Sequence, residues 1–389
     1  MRFKTASGWV ALHSCWQSSL PTCWRDWPDY LEVTDERGLA ELLEMGCIVM
    51  KTDQNDHMAR HTEICDQLGI AYEDWTAEQV KARLPHYRLD TFAPAKRPED
   101  EGFAEPTGGQ LPGAVFFPNA GYVSDPALSS HNLQRAAEAK GSEFRFNTRV
   151  VEILKTDGRA SGVRLADGSE IHAPVVVNVA GPASSLINQM AGVTDDMTIS
   201  TRALKQEVVH VPMPEGYFAD GAQTLVSDSD TFLYCRPEKG THLLIGSEDP
   251  PCDGHTWVDD PDGDDWRDFT EQARIQAMRM AQRAPTIGIP NSPRGVVDLY
   301  DVSDDWIPIY DRSSLPGFYM ACGTSGNQFK NAPMAGKMMA ALIAYERDGG
   351  NHDEAPLTMK MPYTGLDLDV GFFSRRREIN KDSSFSVLG

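Results

Sequence analysis

The 389-residue sequence has no apolar run that is long enough to cross a bilayer. Its longest runs, such as VVVNVA at 175–180, are far shorter than the roughly 20 consecutive apolar residues of a membrane-spanning helix. The first residues, MRFKTASGWVALHSCW, also lack the sustained apolar core of a signal peptide. These absences predict a protein that has no membrane span and is located in the cytoplasm.

Basic residues are scarce as well. The sequence has 36 Lys and Arg residues against 57 Asp and Glu residues, which gives a formal net charge of -21. A field of this sign repels the phosphate backbone of nucleic acids and the head groups of anionic lipids. We therefore expect neither a nucleic acid nor a membrane surface as a partner.

Cysteine occurs seven times, at scattered positions and without a C-x-x-C pair. This distribution indicates neither a disulfide framework nor a zinc site. The acidic stretch 260–271 differs from a calcium-binding loop, because Asp265 stands where such a loop needs glycine. No metal site is predicted.

The sequence also lacks a G-x-S-x-G motif and a Ser-His-Asp order, so hydrolase chemistry has no support.

The pattern of strands and helices predicts an α/β (α+β) protein built from two interleaved parts. Residues 113–199 and 318–346 alternate between strand and helix patterns, which is typical of a nucleotide-binding α/β layer. Residues 200–310 interrupt this layer with short strands and polar turns, which favour an antiparallel sheet. The stretch APVVVNVAG at 173–181 has no alternation, so we expect a parallel strand that is buried on both faces.

Two helices have clear end signals in the sequence. Thr76 is a capping residue for a helix that Pro85 ends. The stretch ALSSHNLQRAAEAKG at 127–141 predicts a second helix, which Gly141 ends. A further helix followed by a turn is predicted in the tryptophan-rich residues 15–35.

The stretch ACGTSGNQFKNAPMAGKMMAALIAY at 321–345 joins a glycine-rich turn to an apolar helix. The turn from Gly323 to Gly326 lets backbone N–H groups approach a ligand, and the helix from Pro333 points its amino end toward that ligand. Lys330 lies between them, where a substrate carboxylate could bind. Ordinary strand-to-helix connections contain such turns as well, so this pattern alone leaves both interpretations open.

Several motifs occur in an order that resembles one known family. They are GYVSDP at 121–126, NTRVVEI at 147–153, VVVNVAGPASSLINQMAG at 175–192, FLYCRPEKGTHLLIGSED at 232–249, the stretch from VVDLYD to NAPMAG at 296–336 and the tail FFSRRREINKDSSFSVLG. Together they resemble the FAD-dependent amino-acid oxidoreductases of the D-amino-acid oxidase type. That family includes glycine oxidase, sarcosine oxidase, and sarcosine and dimethylglycine dehydrogenases.

The resemblance implies a division of the chain into two discontinuous domains. A doubly wound FAD-binding domain would comprise residues 1–40, 113–199 and 313–389. An antiparallel-sheet substrate domain would comprise residues 41–112 and 200–312. The implied reaction is oxidation of the C–N bond of a small amino acid or N-methyl amino acid, with hydride transfer to flavin.

The resemblance also implies how the cofactor is held and reoxidised. Asp298 occupies the position where covalently flavinylated relatives have a cysteine, so we expect noncovalent FAD. Leu244 occupies the position of the lysine that sarcosine oxidases use to react with oxygen, which favours a dehydrogenase. The electron acceptor itself is not predicted.

The implied catalytic residues are Lys330, as a clamp for the substrate carboxylate, and Tyr300. A solvated lysine at a helix entry and a half-buried aromatic residue of a strand are the ordinary alternatives for these two positions. The implied cofactor-binding residues are Val151, Ala180, Gly181, Pro182, Gly323, Thr324, Ser325, Gly326, Asn327, Gln328, Phe329 and Lys330.

The sequence departs from the family at its start, because no G-x-G-x-x-G motif occurs anywhere in it. In the family these glycines let the backbone approach the FAD pyrophosphate at a helix amino end. We expect that a βαβ unit of roughly 40 residues is missing, judged from the usual size of such units. Three interpretations stay open: a truncated gene product, a second chain that supplies the unit, or a noncatalytic remnant that binds FAD poorly.

Overall fold

The structure is a computed structural model that describes residues 23–238, 241–361 and 365–388. Residues 1–22 lie outside the described residues. The first part of the predicted FAD-binding domain and the start of the helix predicted at 15–35 therefore lie outside the described residues as well. Within the described residues, no helix is both long enough and apolar enough to cross a membrane.

The described residues form seven α-helices and 19 strands. The helices are α1 (Trp27–Leu31), α2 (Ala59–Leu68), α3 (Ala77–Arg83), α4 (Pro126–Ala139), α5 (Ser184–Ala191), α6 (Glu271–Arg283) and α7 (Ala332–Arg347). The strands are β1 (Leu42–Glu44), β2 (Cys47–Met50), β3 (Glu73–Thr76), β4 (Gly113–Phe117), β5 (Gly121–Val123), β6 (Val150–Thr156), β7 (Arg159–Leu165), β8 (Glu170–His172), β9 (Val176–Asn178), β10 (Thr201–Pro212), β11 (Leu225–Asp228), β12 (Leu233–Glu238), β13 (His242–Ser247), β14 (Trp257–Val258), β15 (Gly295–Ser303), β16 (Ile309–Arg312), β17 (Phe318–Cys322), β18 (Thr358–Lys360) and β19 (Asp367–Asp369).

The predicted helix ends are confirmed. The Thr76 hydroxyl accepts the Gln79 backbone N–H, and the Gln79 side chain accepts the Thr76 backbone N–H, which completes a capping box at the start of α3. Helix α4 begins at Pro126 and ends at Ala139, two residues before Gly141. These ends follow from local sequence because a cap joins residues that are only a few positions apart.

The largest sheet has nine strands and is mostly antiparallel. Its order is β14-β10-β13-β12-β11-β2-β4-β3, and β15 pairs with β10 from residue 295 to residue 303. Only the contact between β11 and β2 is parallel. The antiparallel layer predicted from residues 200–310 is therefore confirmed. The division into two domains stays a prediction, but β4, which that division assigns to the FAD-binding part, is hydrogen-bonded inside this sheet.

One face of the large sheet is covered by helices α3 and α6. Ala273, Ala277 and Met280 of α6 pack in one core with Leu243 and Ile245 of β13. Each fully buried side chain as large as Leu, Ile or Met contributes about 1.5–3 kcal/mol to the free energy of unfolding. Because side chains alternate along a strand, the residues between these positions point to the opposite face of the sheet.

A smaller sheet of order β16-β17-β9 lies beside helices α5 and α7. Strand β9 runs parallel to β17, as its lack of alternation predicted. The prediction that this strand is buried on both faces is wrong, because Val175 is 36% exposed and Val179 is 68% exposed. Among the described residues β9 is an edge strand, paired on one side only, so its outer side meets solvent.

The remaining strands form three small antiparallel units. Strands β6, β7 and β8 form a meander, whose first turn has positive φ angles at Asp157 and Gly158. Strand β1 pairs with β5, and β18 pairs with β19. The stretch 143–147 before the meander forms no strand, although its sequence alternates, and its Phe144 and Phe146 are 43% and 66% exposed.

Candidate functional site

The turn after β17 adopts the backbone that its glycines predicted. Gly323, Ser325 and Gly326 all have positive φ angles, and glycine has the least strain in that conformation. A Cβ atom at Gly326 would lie 2.2 Å from the ring of Tyr300. The chain can therefore pass directly over this ring only because residue 326 has no side chain.

Asp301, the residue after Tyr300, holds the turn in place. Its Oδ2 accepts the Gly323 backbone N–H at 2.6 Å, and its backbone carbonyl accepts the Ser325 N–H at 2.7 Å. Burial raises the pKa of the Asp301 carboxyl to about 7, although the Gly323 N–H and the nearby hydroxyls of Thr201 and Ser184 oppose the rise. A carboxyl with this pKa takes up or releases a proton near neutral pH.

A second turn, Gly181–Ala183, follows β9 and lies against β10 and β15. Buried Asn178 shapes it by accepting the Ala180 N–H at 3.1 Å and by donating to the Ser184 carbonyl at 2.9 Å. Gly181 has a φ of +55°, and no atom of the described residues lies within 4 Å of the position that its Cβ would take. Among these residues, none covers the backbone of the turn at this point.

Lys330 lies at the end of the Gly323 turn. Its Nζ donates to the Asn327 carbonyl at 2.6 Å, and its own carbonyl accepts the Trp24 indole N–H at 3.1 Å. The Trp24 ring also stacks on Phe329, with ring centroids 5.6 Å apart. Burial lowers the pKa of the Lys330 ammonium to about 8. No carboxylate of residues 23–238, 241–361 or 365–388 forms an ion pair with Lys330, so its charge is free for an anionic ligand.

The residues that follow the Gly323 turn have features that suit a bound flavin nucleotide. Asn327 Nδ2, a donor, and Asn331 Oδ1, an acceptor, are buried and have no hydrogen-bond partner in the part of the chain that the structure describes. Unpaired buried polar atoms are costly, which makes a ligand with both donors and acceptors a fitting partner. The edge of an isoalloxazine ring has both kinds of atom. The turn residues therefore fit FAD.

Tyr300 forms a pair with Tyr234 of β12. Burial, together with the neighbouring Tyr234, raises the pKa of Tyr300 well above its ordinary value, and burial raises the pKa of Tyr234 as well. The ring of Tyr234 fills the space beside Gly246, where a Cβ would lie 2.1 Å from a ring carbon. Both tyrosines remain protonated at physiological pH, so they act as hydrogen-bonding groups rather than as bases.

The structure brings most of the predicted site residues together. Tyr300 meets Gly326 directly, and the turn at Gly181 reaches the same strand pair. Val151 is different, because it lies on β6 in the meander and is 44% exposed. Its predicted contact with adenine therefore stays a prediction.

Three further residues belong to this site and were missed in the sequence. Asp301 fixes the turn, Tyr234 pairs with Tyr300, and Trp24 supports Lys330. Of the three, only Trp24 lies in a segment with a sequence signal, because the tryptophan-rich residues 15–35 predict a helix. The other two act on residues more than 20 positions away, and spacing along the chain does not reveal such contacts.

Comparison with known families decides the assignment. The family model described as "DAO: FAD dependent oxidoreductase" matches residues 5–342, which is most of the chain. The chain belongs to this FAD-dependent oxidoreductase family. Members of the DAO family depend on FAD, in agreement with the cofactor predicted from the sequence motifs and with the unpaired polar atoms of Asn327 and Asn331.

Two relatives of known activity are similar to this DAO-family chain. It is 23% identical over 257 residues to sarcosine oxidase subunit beta of Arthrobacter sp, an alignment that covers 66% of the chain and 58% of that protein. It is 28% identical over 256 residues to mitochondrial sarcosine dehydrogenase of Homo sapiens, which covers 61% of the chain and 26% of that protein. The chain thus matches less than two thirds of the length of either relative.

Solved structures share the fold of this DAO-family chain. L-Proline dehydrogenase from P. horikoshii superposes with a TM-score of 0.68 and 18% sequence identity, over 96% of this chain and 84% of that one. The predicted mixed α/β architecture, with an FAD-binding layer and an antiparallel sheet, is therefore confirmed.

Proposed function

We propose that this chain oxidises the C–N bond of a small amino acid or N-methyl amino acid. The observation that carries the proposal is the Lys330 ammonium, which lies on the turn that passes over Tyr300 and has no carboxylate partner in the described ranges. A free cation beside a flavin turn suits a substrate that carries a carboxylate. The relatives named for sarcosine and proline support this substrate class.

The residues of the chain would bind and orient the substrate. FAD supplies the redox chemistry, as the acceptor of a hydride from the carbon next to nitrogen. The Lys330 ammonium would hold the substrate carboxylate, and the hydroxyl of the protonated Tyr300 would hydrogen-bond the other end of the substrate. Asp301 keeps the turn from moving by accepting its Gly323 N–H. Such positioning places the C–H bond for transfer, which is a large part of catalysis in this reaction class.

Two finer properties belong to the proposal. The chain works as a dehydrogenase, because Leu244 offers no cation that would assist the reaction of reduced flavin with oxygen. It holds FAD noncovalently, because Asp298 offers no thiol at the position used for flavin attachment. The cytoplasmic location stays a prediction.

An absorbance experiment tests the proposed function. The purified chain is mixed with FAD, freed of excess cofactor and then titrated without oxygen with sarcosine, proline, glycine and dimethylglycine. We expect bound-flavin bands that bleach with at least one of these compounds. Release of all flavin on acid precipitation would agree with noncovalent binding. Flavin that binds but is not bleached by any amine would contradict the proposed reaction.

A second candidate function, a subunit of a split flavoenzyme, is favoured by the open edge of β9. Among the described residues β9 has one paired side, and Val175 and Val179 at its ends are exposed. Phe144 and Phe146 are exposed on a stretch that alternates like a strand but pairs with none. A nucleotide-binding βαβ unit from another polypeptide would supply parallel strands for this edge and bury these side chains.

FAD retention separates the two candidates. If a neighbouring gene encodes a polypeptide with a G-x-G-x-x-G unit, both chains are produced together and separately. The split-enzyme hypothesis predicts that the two chains together retain FAD and that the present chain alone does not. Retention of one FAD by the present chain alone would rule out the need for that partner.

A further inference from the structure

A cavity of about 460 Å³ lies where two strands part from β10. Strand β10 is bonded to β13 over Val209–Pro212 and to β14 at Ala203 and Leu204. Between these contacts residues 250–255 form no ladder with β10, and the next bond to β10 runs from the Lys205 N–H to the Thr256 carbonyl at 2.9 Å. The cavity fills the resulting gap in the sheet, and the start of α6 closes its other side.

Most charges around the cavity are already paired. The Lys205 ammonium lies 3.4 Å from Glu207, whose carboxylate also accepts two hydrogen bonds from Thr270. Asp253 receives the guanidinium of Arg279 at 2.6 Å and that of Arg97 at 3.0 Å. These pairs leave no free cation among them for an anionic ligand.

Two buried acceptors in the cavity lining are not satisfied. Asp249 accepts the Gln206 amide at 2.9 Å through Oδ1, but its Oδ2 is buried without a partner among the described residues. Gln276 is 1% exposed and donates to the Glu207 carbonyl at 3.0 Å, whereas its Oε1 has no donor in the described part of the chain. Both atoms need a donor, and a buried acceptor without one costs about 1–3 kcal/mol.

The cavity borders the face of the sheet that carries Tyr300. Tyr300 lies opposite Leu204 in the register of β10 and β15, and Leu204 lines the cavity. The Asp249 carboxylate is close enough to Tyr300 to raise the pKa of that phenol further. Gln206, which holds Asp249, is two residues along β10 from Leu204 and so points to the same face.

We propose that this cavity binds the protonated amino group of a small amine, with Asp249 Oδ2 and Gln276 Oε1 as its acceptors. An ammonium group brings several donors and one positive charge, which matches one unpaired carboxylate and one amide oxygen. The proposal rests on the proposed function in one respect, because the amine is identified with the substrate of the flavin reaction. It assigns recognition of nitrogen to Asp249 and leaves the carboxylate to Lys330.

Titration of the purified chain with methylammonium chloride tests this proposal without any flavin chemistry. Tryptophan fluorescence reports binding, since the Trp257 ring lies 5.4 Å from that of His255, which lines the cavity. We expect saturable binding that potassium chloride does not reproduce. Asp249→Asn should weaken it at least tenfold, and Gln276→Leu should weaken it as well.

Two control variants make the result specific. Asp265→Asn changes an exposed carboxylate of the loop before α6, and it should bind methylammonium like the parent. Lys337→Met changes a lysine of α7 that belongs to neither proposed recognition group, and it should also bind like the parent. Circular dichroism spectra of all variants show whether each one is folded.

The proposal is overturned if Asp249→Asn is folded and binds methylammonium as tightly as the parent. It is also overturned if the parent binds acetate in place of methylammonium, because Arg97 and Lys205 would then govern the cavity. If the parent binds methylammonium through Asp249 but no amine reduces its bound flavin, the inference about the cavity is supported. In that case only the proposed function fails.

Discussion

Gly326 lies directly on the ring of Tyr300, at a distance that leaves no room for a methyl group. Tyr300 belongs to the large, mostly antiparallel sheet, whereas Gly326 belongs to the turn that follows β17 of the small mixed sheet. Their contact joins the two parts of the chain at the point where the candidate cofactor turn and the candidate substrate face meet. A change at either residue should therefore alter the site before it alters either sheet.

Gly326→Ala should greatly reduce FAD retention. Its φ of +73° is strained for alanine, and the new Cβ would lie 2.2 Å from the Tyr300 ring, so the turn must move. Dissociation of FAD, measured by fluorescence, should be at least tenfold faster than in the parent. Gly336→Ala is the matched control, because no atom in the described part of the chain lies within 4 Å of its Cβ position in α7. It should stabilise the helix by about 0.5–1 kcal/mol. Equal FAD retention in both variants would argue against the role of the turn.

Lys330→Met should weaken carboxylate binding and remove its dependence on pH. Burial lowers the pKa of the Lys330 ammonium to about 8, so the parent should bind propionate most tightly below pH 8 and progressively less above it. Propionate is a suitable probe because it has a carboxylate and no amine. In the variant we expect affinity that is at least tenfold lower at pH 7 and nearly constant up to pH 10. Changes in the flavin absorbance spectrum report the binding.

A second lysine serves as the control for this experiment. Lys337 lies in α7, seven residues after Lys330, with its Nζ 5.1 Å from the centre of the Tyr30 ring. Lys337→Met should bind propionate like the parent at every pH. If it loses as much affinity as Lys330→Met, the effect is one of general charge rather than of a specific clamp.

Asp301→Asn should change how stability depends on pH. The Asp301 carboxyl has a pKa of about 7 in the folded chain and an ordinary value of 3.8, so between these values the folded state holds a proton that the unfolded state has lost. The free energy of unfolding of the parent should therefore fall as pH rises from 4 through 7. In the variant that fall should be smaller, because asparagine accepts the Gly323 N–H at every pH. Urea unfolding at pH 5 and pH 8 measures the difference.

Asp298→Asn is the comparison for this variant, since Asp298 is an exposed residue of the same strand. It should leave the pH dependence of the parent unchanged. A parent-like pH dependence in Asp301→Asn would show that its carboxyl is already ionised at low pH in the folded chain.

The sequence revealed local and repetitive features well. The capping box at Thr76, the helix end near Gly141 and the parallel strand β9 all follow from neighbouring residues or from a run of one residue type. The positive φ angles of Gly323 and Gly326 follow from the residue type itself. Such features need no knowledge of the rest of the chain.

Contacts between distant segments were not predictable. In the sequence Asp301 resembles the other polar residues of a strand. Only the fold shows that its carboxylate accepts the N–H of Gly323, 22 positions later. The unpaired oxygen of Asp249 exists because two strands part from β10, which no local pattern encodes. The exposed ends of β9 were missed for the same reason, since burial of an apolar run depends on which strands lie beside it.

Arg375→Met should destabilise the whole chain, because Arg375 holds the tail to the small sheet. Its buried guanidinium contacts Asp311 at 2.9 Å and Asp353 at 2.8 Å, and it also pairs with Asp196. Removal of the cation leaves the fully buried Asp311 carboxylate without its guanidinium partner, which costs about 3–5 kcal/mol. Arg376→Met is the matched control. That side chain is 48% exposed, although it contacts Asp196 and Asp353 as well, so its loss should cost at most about 1 kcal/mol. Urea midpoints of the two variants measure the contrast. Similar midpoints would mean that the buried pairs contribute no more than a surface ion pair.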